Sequence, residues 1–126
     1  ILCGLCVRVC NEIIGESAIS FTGRGLNRKV LPPFDKPSEV CITCGACAFI
    51  CPTGAIKIED ILDKRKVSIS KAESELVKCK QCNSFFVPFP VADKIKQKLS
   101  DIFEFIDLCP KCRRKISIKK YLECQT

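Results

Sequence analysis

Histidine, methionine and tryptophan are absent from this sequence of 126 residues. Without histidine there is no imidazole general base, no Ser-His-Asp triad and no histidine ligand for zinc. No run of about 18 apolar residues occurs, so we predict no membrane span. Because translated chains begin with methionine, we also expect that the sequence starts inside a longer protein. Chemistry on this chain must therefore use thiolates or carboxylates.

Cysteine, by contrast, is abundant, with twelve copies. In a small chain this density indicates either the disulfides of a secreted protein or metal ligation in a reducing compartment. Pairs of cysteines separated by two residues recur along the chain, and such close pairs serve poorly as disulfide staples. We therefore expect a cytoplasmic protein that binds metal through its thiolates.

An internal repeat occupies the first half of the chain. Residues 1–10 align with residues 42–51, so that three cysteines and a glycine match at identical spacing. Each copy then reaches an Ala-Ile pair, at Ala18 and at Ala55, that opens an alternation of apolar and polar residues. We interpret the copies as one duplicated unit made of a cysteine loop, a short helix and a strand.

The second copy contains four cysteines separated by two, two and three residues and followed by Pro52, which is the sequence run of a [4Fe–4S] site. Three thiolates of such a loop surround one cluster, and the fourth cysteine ligates the other cluster. We therefore expect two [4Fe–4S] clusters: cluster II bound by Cys10, Cys41, Cys44 and Cys47, and cluster I bound by Cys3, Cys6, Cys51 and a cysteine directly upstream of Ile1. The alternative is that cluster I has only three protein ligands and is incomplete or ligated by water.

Small and apolar residues surround these cysteines. Gly4 and Gly45 occupy matching positions, where the lack of a side chain lets the backbone approach a cluster and direct amide N–H groups at its sulfides. We also expect an apolar lining that excludes water from the clusters, made of Leu2, Leu5, Val7, Val9, Ile42, Ala48, Phe49 and Ile50.

The residues around the cysteines resemble a redox module of several large enzymes. The matching stretches are Cys3-Gly-Leu-Cys6-Val-Arg-Val-Cys10 followed by Asn11, the run Gly23-Arg24-Gly25, and Cys51-Pro-Thr-Gly-Ala-Ile. They are similar to bacterial dicluster ferredoxins and, more particularly, to a module of iron-only hydrogenases, NAD-linked formate dehydrogenases and the large iron–sulfur subunit of NADH dehydrogenases. The resemblance covers residues 1 to about 60.

This resemblance implies an α+β, ferredoxin-like fold for residues 1–61, with a two-fold repeat that holds the two clusters. It implies electron transfer between a flavin or ferredoxin entry point and a buried metal active site. It also implies a hetero-oligomer in which larger redox subunits carry the flavin or the metal active site. Arg8, Arg24 and Arg28 are expected to pair with carboxylates of a partner or of Glu12 and Glu16, or else to be solvated.

The second half of the chain has a different pattern. Residues 62–75 are charged and turn-prone, and they predict a linker with one short strand at Val67. In residues 76–126, two close cysteine pairs are typical of a four-thiolate zinc site, because each tight turn presents two sulfurs to one ion. We expect a zinc-ribbon-like subdomain with zinc on Cys79, Cys82, Cys109 and Cys112, the alternatives being a rubredoxin-like single iron or a third iron–sulfur cluster. Asn83 can adopt the left-handed backbone that such a turn requires.

Between the two cysteine pairs, an apolar stripe predicts one helix from Val91 to about Ile106, with Pro88 and Pro90 at its start. The stripe, expected to pack in the core, consists of Ile95, Leu99, Ile102, Phe103 and Ile106. The basic residues at 113–115 and 119–120 predict a tail that is solvated or docks on an acidic surface. Cys124 is expected to be a free thiol.

Electron transfer inside a hydrogenase, formate dehydrogenase or NADH dehydrogenase type of complex is the function that these patterns favour. The alternative is a metal-stabilised module that binds protein or nucleic acid through the C-terminal cysteine pairs. The net charge of +7 gives that alternative little support, because two clusters and a zinc site would remove roughly six positive charges. Tyr121 is the only tyrosine, so platforms for base stacking are scarce. We therefore predict no nucleic-acid partner and no substrate-converting site on this chain.

Overall fold

Two antiparallel sheets and four α-helices organise the described part of the chain, residues 1–99 and 106–124 of a computed structural model. In chain order the elements are α1 Leu5–Arg8, a π-helical turn Val9–Ile14, β1 Ser20–Thr22, β2 Lys29–Leu31, α2 Ala46–Phe49, β3 Ile58–Ile61, β4 Lys64–Val67, β5 Ala72–Lys78, β6 Phe85–Pro88, α3 Phe89–Lys98 and α4 Pro110–Glu123. The expectation of an α+β fold is confirmed. Among the described residues, no helix combines the length and apolar character that crossing a bilayer requires.

Strands β1 and β2 form a hairpin, and its turn contains a 3-10 segment at Gly25–Asn27. Gly23 opens this turn with a φ of +73°, and a Cβ atom there would lie 2.4 Å from the carbonyl oxygen of Asn27. No other residue fits that position without moving the backbone. Across the hairpin, the Arg28 guanidinium lies 4.3 Å from the centre of the Phe21 ring, which is a cation–π contact.

The second sheet has the strand order β3-β4-β5-β6 and continues through the segment that the sequence predicts to be a linker. Asp60 and Arg65 face each other in the β3–β4 register, and the guanidinium donates two hydrogen bonds of 2.7 and 2.8 Å to the carboxylate. Val67 at the end of β4 is only 1% exposed. Residues 62–75 thus contain β4 and the start of β5, where the sequence predicts only one short strand. The domain boundaries at 61 and 76 stay a prediction.

Helix α3 is shorter than the predicted helix, since it begins at Phe89 and ends at Lys98. Pro88 caps it and Pro90 lies in its first turn, where proline is tolerated because no N–H is needed. Ala92 is buried, whereas Ile95 and Leu99 are 37% and 48% exposed. Of the remaining predicted stripe, residue 106 is buried, and residues 102 and 103 lie outside the described residues.

Helix α4 lies where the sequence predicts a basic tail. Pro110 occupies its first position directly after Cys109, and proline there is pre-organised for helix formation. Arg113, expected to be part of the tail, donates hydrogen bonds of 2.7 Å to the Leu108 carbonyl and 3.4 Å to the Ile106 carbonyl. The Arg113 guanidinium therefore bonds backbone carbonyls of the preceding segment.

The two halves of the chain are in contact through helix α3. The Lys94 ammonium pairs with the Glu16 carboxylate and donates a 3.0 Å hydrogen bond to the Ile14 carbonyl. Both charged side chains are largely shielded, with 31% and 20% exposure. An apolar groove runs beside this pair, lined by Ile13, Ile14, Ile42, Val91, Ile95 and Leu99. Helix α3 is thereby fixed against the cysteine loops of the first half.

Candidate iron–sulfur and metal sites

The two cysteine loops of the first half have the same backbone conformation. Leu2 and Thr43, at matching positions, have positive φ angles of 48° and 50°. Gly4 and Gly45, two residues further on, have φ angles of 79° and 81°. Each loop therefore turns twice through the left-handed region before a four-residue helix begins. The repeated spacing of cysteines corresponds to a repeated backbone path.

The backbone conformation favours glycine at positions 4 and 45, and close side-chain packing adds to that preference. A Cβ atom on Gly4 would lie 3.0 Å from Phe21 Cζ, and one on Gly45 would lie 2.7 Å from Ile58 Cδ1. Phe21 and Ile58 occupy matching positions after the two Ala-Ile pairs. In each copy, an apolar side chain of the strand thus packs against the glycine of the cysteine loop.

One cavity is lined by four thiols that come from both copies of the repeat, and we call it site A: Cys10, Cys41, Cys44 and Cys47. Cys10 lies in the π-helical turn that follows α1, and its sulfur accepts a 3.3 Å hydrogen bond from the Ala18 amide. Buried Ala18, Ile19 and Val67 complete the apolar lining. The structure therefore places Cys10, the last cysteine of the first copy, beside the loop of the second.

A second cavity is lined by three thiols, again from both copies, and we call it site B: Cys3, Cys6 and Cys51. Cys51 follows helix α2 of the second copy, whereas the other two belong to the first loop. Ile1 also lines this cavity. Apolar Val30, Leu31, Ile56 and Ile69 also line this cavity, together with Lys29 and Thr53.

Electrostatics favour a bound cationic group in these cavities. Burial raises the pKa of Cys6 and Cys44, and it raises the pKa of Cys47 to about 12. The thiolate charges of Cys41 and Cys10 act on Cys44 and Cys47 in the same direction. Several adjacent thiolates in an apolar cavity need a cation to offset their repulsion and desolvation. The donor set of sites A and B therefore fits an iron–sulfur group, which soft thiolate ligands select.

Cys51 differs from these buried thiols. A hydrogen bond from the Thr53 hydroxyl, with a sulfur–oxygen distance of 3.5 Å, and the Thr53 backbone amide lower the pKa of Cys51 to about 7. Hydrogen bonds to the charged form stabilise a thiolate. Cys51 therefore has a lower pKa than the buried thiols of Cys6, Cys44 and Cys47.

The residues expected to line the clusters are only partly the ones that do so. Leu2 lines site B and Ile42 lines site A, as expected, whereas Phe49 is 94% exposed. The two Ala-Ile pairs and residues 67, 69 and 70 supply further parts of the walls. The expectation of an apolar lining was therefore right for part of the predicted set and wrong for Phe49, and segments distant in the chain add residues that were not predicted.

Two hydroxyl groups connect the second sheet to the loop of site A. The Cys41 thiol and the Ser70 hydroxyl lie 3.2 Å apart, and the hydroxyls of Thr43 and Ser74 form a second hydrogen bond. Both Ser70 and Thr43 are 1% exposed. These contacts join residues about thirty positions apart in the chain. No motif links them, so the sequence carries no signal for them.

The C-terminal region contains a compact group of four thiols, which we call site C: Cys79, Cys82, Cys109 and Cys112. Their sulfur atoms lie within 4.8 Å of one another, and the Cys82 and Cys109 sulfurs are 3.6 Å apart. A tetrahedral zinc with Zn–S bonds of about 2.3 Å requires sulfur separations of about 3.8 Å. All four predicted ligands are therefore brought together at a spacing that fits one metal ion.

Backbone amides stabilise thiolates at site C. The Cys109 amide donates a 3.3 Å hydrogen bond to Cys79 Sγ and lowers the pKa of that thiol. The Cys112 amide lowers the pKa of Cys109 in the same way. Asn83 has a φ of 55°, as predicted, and its amide bonds the Cys79 carbonyl at 2.9 Å to close the first turn. Each cysteine pair is thus a tight turn that directs both N–H groups and sulfurs inward.

Charged residues connect the two turns of site C. The Asp107 carboxylate pairs with the Lys80 ammonium at 2.5 Å and with the Lys96 ammonium at 3.2 Å. The Lys80 amide also donates a 3.0 Å hydrogen bond to the Asp107 carbonyl. The ion pair with Lys80 is the main cause of the lowered pKa of Asp107. These bonds hold the two cysteine turns, which are 27 residues apart, beside each other.

The three arginines singled out in the sequence have different surroundings, and Arg24 is exposed. Arg8 forms the expected ion pair with Glu12, at 3.2 Å on an exposed helix face. Arg28 instead stacks on Phe21. Glu16, expected to pair with an arginine, pairs with Lys94 of helix α3. All twelve cysteines lie in the described residues, and none of them forms a disulfide; Cys124 is exposed.

Comparison with known proteins shows which family the loop of the second copy is similar to. Residues 36–57 match the 4Fe–4S binding domain family. This segment contains the three loop cysteines of site A and Cys51 of site B. The predicted resemblance to iron–sulfur subunits of large oxidoreductases is confirmed by the relatives described next.

Three relatives illustrate the resemblance. The chain is 36% identical over 58 residues to the NADP-reducing hydrogenase subunit HndD of Solidesulfovibrio fructosivorans. It is 36% identical over 56 residues to a subunit of the NADH-quinone oxidoreductase of Rhizobium meliloti, and 36% identical over 58 residues to a putative formate dehydrogenase of Staphylococcus haemolyticus. Each alignment covers 44% of this chain and between 6% and 10% of the relative. The chain therefore corresponds to a small part of each of these proteins.

Proposed function

We propose that this chain binds two [4Fe–4S] clusters, cluster II at site A and cluster I at site B, and transfers electrons between them as part of a larger oxidoreductase. The observation that supports this most directly is the exchange of one cysteine between the two loops. Cys10 lies with the second loop and Cys51 lies with the first. A pair of clusters that share their ligand loops in this way would lie close together.

The protein residues have two roles in this function. The thiolates would bind the iron, and the backbone amides and hydroxyls that contact sulfur would adjust how readily each cluster accepts an electron. The buried side chains of Ala18, Ile19, Ile56 and Val67 exclude water from the cavities. When bound, a [4Fe–4S] cluster supplies one-electron redox chemistry.

The fourth ligand of cluster I remains the cysteine predicted to precede Ile1. The position of Ile1 in the wall of site B supports this proposal. The alternative, a cluster with three protein ligands, predicts an iron that is readily lost from site B. Iron analysis after mild oxidation would separate the two, since a fully ligated cluster keeps all its iron and a three-cysteine cluster loses about one atom.

The kind of partner that we propose is inferred by analogy with the relatives. Their names describe a hydrogenase subunit, an NADH-quinone oxidoreductase subunit and a putative formate dehydrogenase. We propose that larger subunits with flavin or a metal active site supply and accept the electrons, and that the complex is cytoplasmic. No specific parent enzyme is favoured, because these relatives match equally well.

Metal and sulfide analysis of the anaerobically purified chain tests the proposal. We expect about eight irons and about eight acid-labile sulfides per chain, with broad absorption near about 400 nm that bleaches on reduction. Alanine substitution of Cys44 should remove about half of the iron. Absence of iron and sulfide, or a disulfide between any of the seven thiols in sites A and B, would contradict it.

At site C we propose zinc with a structural role. The C-terminal region is small for a self-supporting core, and metal binding commonly contributes its folding free energy. Substituting Cys112 by alanine should remove about one zinc per chain and expose residues 79–124 to limited proteolysis, while the iron content stays unchanged. Iron at site C, seen as a single-iron signal, would instead favour the rubredoxin-like alternative.

A further inference from the structure

We propose that Ser70 sets the reduction potential of cluster II above the value that its cysteine ligands alone would give. This inference rests on the proposed function, because it concerns the cluster at site A. Ser70 belongs to the turn between β4 and β5, outside the residues that match the 4Fe–4S binding domain family.

The contact between Ser70 and Cys41 is built into the fold. Their side chains lie 3.2 Å apart, and Ser70 lines site A while being only 1% exposed. As a free thiol, Cys41 donates the hydrogen bond. As an iron ligand, Cys41 is a thiolate without a proton, so the Ser70 hydroxyl must become the donor.

The hydroxyl is also held in place. The Ser70 carbonyl accepts a 3.0 Å hydrogen bond from the Ser38 amide, three residues before Cys41. On the other side, the hydroxyls of Ser74 and Thr43 bond each other. The turn is thus fixed at two points to the segment that carries the site A cysteines, so little rearrangement would accompany reduction.

A donor at a thiolate ligand favours the reduced cluster. Reduction adds one negative charge, which spreads partly onto the ligand sulfurs, and a hydrogen bond to sulfur stabilises that charge. In a dry cavity this effect is stronger than in water, because the low dielectric strengthens the hydrogen bond. Among the described residues, the corresponding hydroxyl contact at site B is that of Thr53 with Cys51, which is longer at 3.5 Å and lies on an exposed surface.

Ser68 provides a matched control. It lies two residues away on the same segment, but its hydroxyl accepts a 2.9 Å hydrogen bond from the Lys57 amide and contacts no cysteine. Ser70→Ala and Ser68→Ala therefore each remove one hydroxyl from this segment, and only the first removes a donor from a proposed cluster ligand.

The test is a potentiometric titration, followed by electron paramagnetic resonance, of the anaerobically purified chain and its two alanine variants. We expect one of the two midpoint potentials to fall in Ser70→Ala while the other is unchanged, with both unchanged in Ser68→Ala. Equal shifts of both potentials, or none, in a variant with full iron content would overturn the proposal. If the unsubstituted chain holds no iron, the proposed function fails instead.

A second pair of variants covers the case in which Ser70→Ala fails to retain cluster II. Ser70→Thr and Ser70→Val have side chains of nearly the same shape, but only threonine keeps the hydroxyl. We expect the lower midpoint potential in the valine variant. Equal potentials in these two variants would show that the hydroxyl has no effect.

Discussion

Replacing Gly45 by alanine should destabilise the loop of site A through two separate effects. The backbone there has a φ of +81°, and an L-residue in this region costs roughly 1–2 kcal/mol. The added Cβ would also lie 2.7 Å from Ile58 Cδ1, well below the about 3.5–4.0 Å of a normal carbon contact. Because Cδ1 is the end of a side chain that is 38% exposed and can turn away, the steric cost lies in the lower part of the about 1–3 kcal/mol range typical of overpacking. The expected total is therefore about 2–4 kcal/mol.

Gly54→Ala is the matched control for the backbone effect alone. Gly54 has a φ of +60°, and a Cβ atom at this position meets nothing within 4 Å. We expect a loss of about 1–2 kcal/mol from this substitution. Adding Ile58→Val to Gly45→Ala removes the clashing methyl group. The double variant should therefore recover most of the stability that Gly45→Ala loses through the steric clash.

Urea titration, followed by loss of the visible cluster absorption, measures these differences. With a denaturant dependence of about 2 kcal/mol per molar urea, Gly45→Ala should lower the midpoint by about 1–2 M. Gly54→Ala should lower it by about half as much. If the two variants were equally stable, or if Ile58→Val gave no recovery, the packing of β3 onto the cysteine loop would not be a determinant of stability.

Two further predictions concern single contacts. In the metal-free chain, Thr53→Val should raise the pKa of Cys51 from about 7 and slow its alkylation at pH 7.5 by roughly tenfold, because a thiol whose pKa returns toward its ordinary value is less ionised at that pH. Unchanged alkylation kinetics would exclude the hydroxyl as the cause. Lys94→Ala leaves a shielded Glu16 unpaired and should cost about 1–3 kcal/mol in denaturant unfolding, whereas Lys119→Ala, which breaks an exposed pair, should cost less than about 0.5 kcal/mol. Similar losses in both lysine variants would mean that α3 is not fastened by this pair.

The cysteine loops could be predicted from the sequence because their constraints are local. Identical spacing around Gly4 and Gly45 indicated one backbone path used twice, and the φ angles agree to within 2°. The close approach of Phe21 and Ile58 to those glycines was not predicted, although their matching positions in the repeat provided a signal. The spacing within each cysteine pair also predicted that the four thiols of site C lie together.

Contacts made by the second sheet could not be predicted, because they depend on strand pairing over long distances. The charged residues 62–75 suggested an irregular linker, yet positions such as Val67 and Ser70 face the cavity while charged neighbours pair across strands. Helix α4 was also missed. Its charged sequence has no strong apolar stripe, and Pro110 after Cys109 was the one signal for its start.

The exchange of cysteines between the two loops is tested most directly by comparing the electron paramagnetic resonance spectra of three reduced variants, Cys10→Ala, Cys44→Ala and Cys6→Ala. If Cys10 binds the cluster of the second loop, Cys10→Ala and Cys44→Ala should weaken or alter the same signal, and Cys6→Ala should affect the other one. If Cys10→Ala instead matched Cys6→Ala, each loop would bind its own cluster and the arrangement proposed here would be wrong.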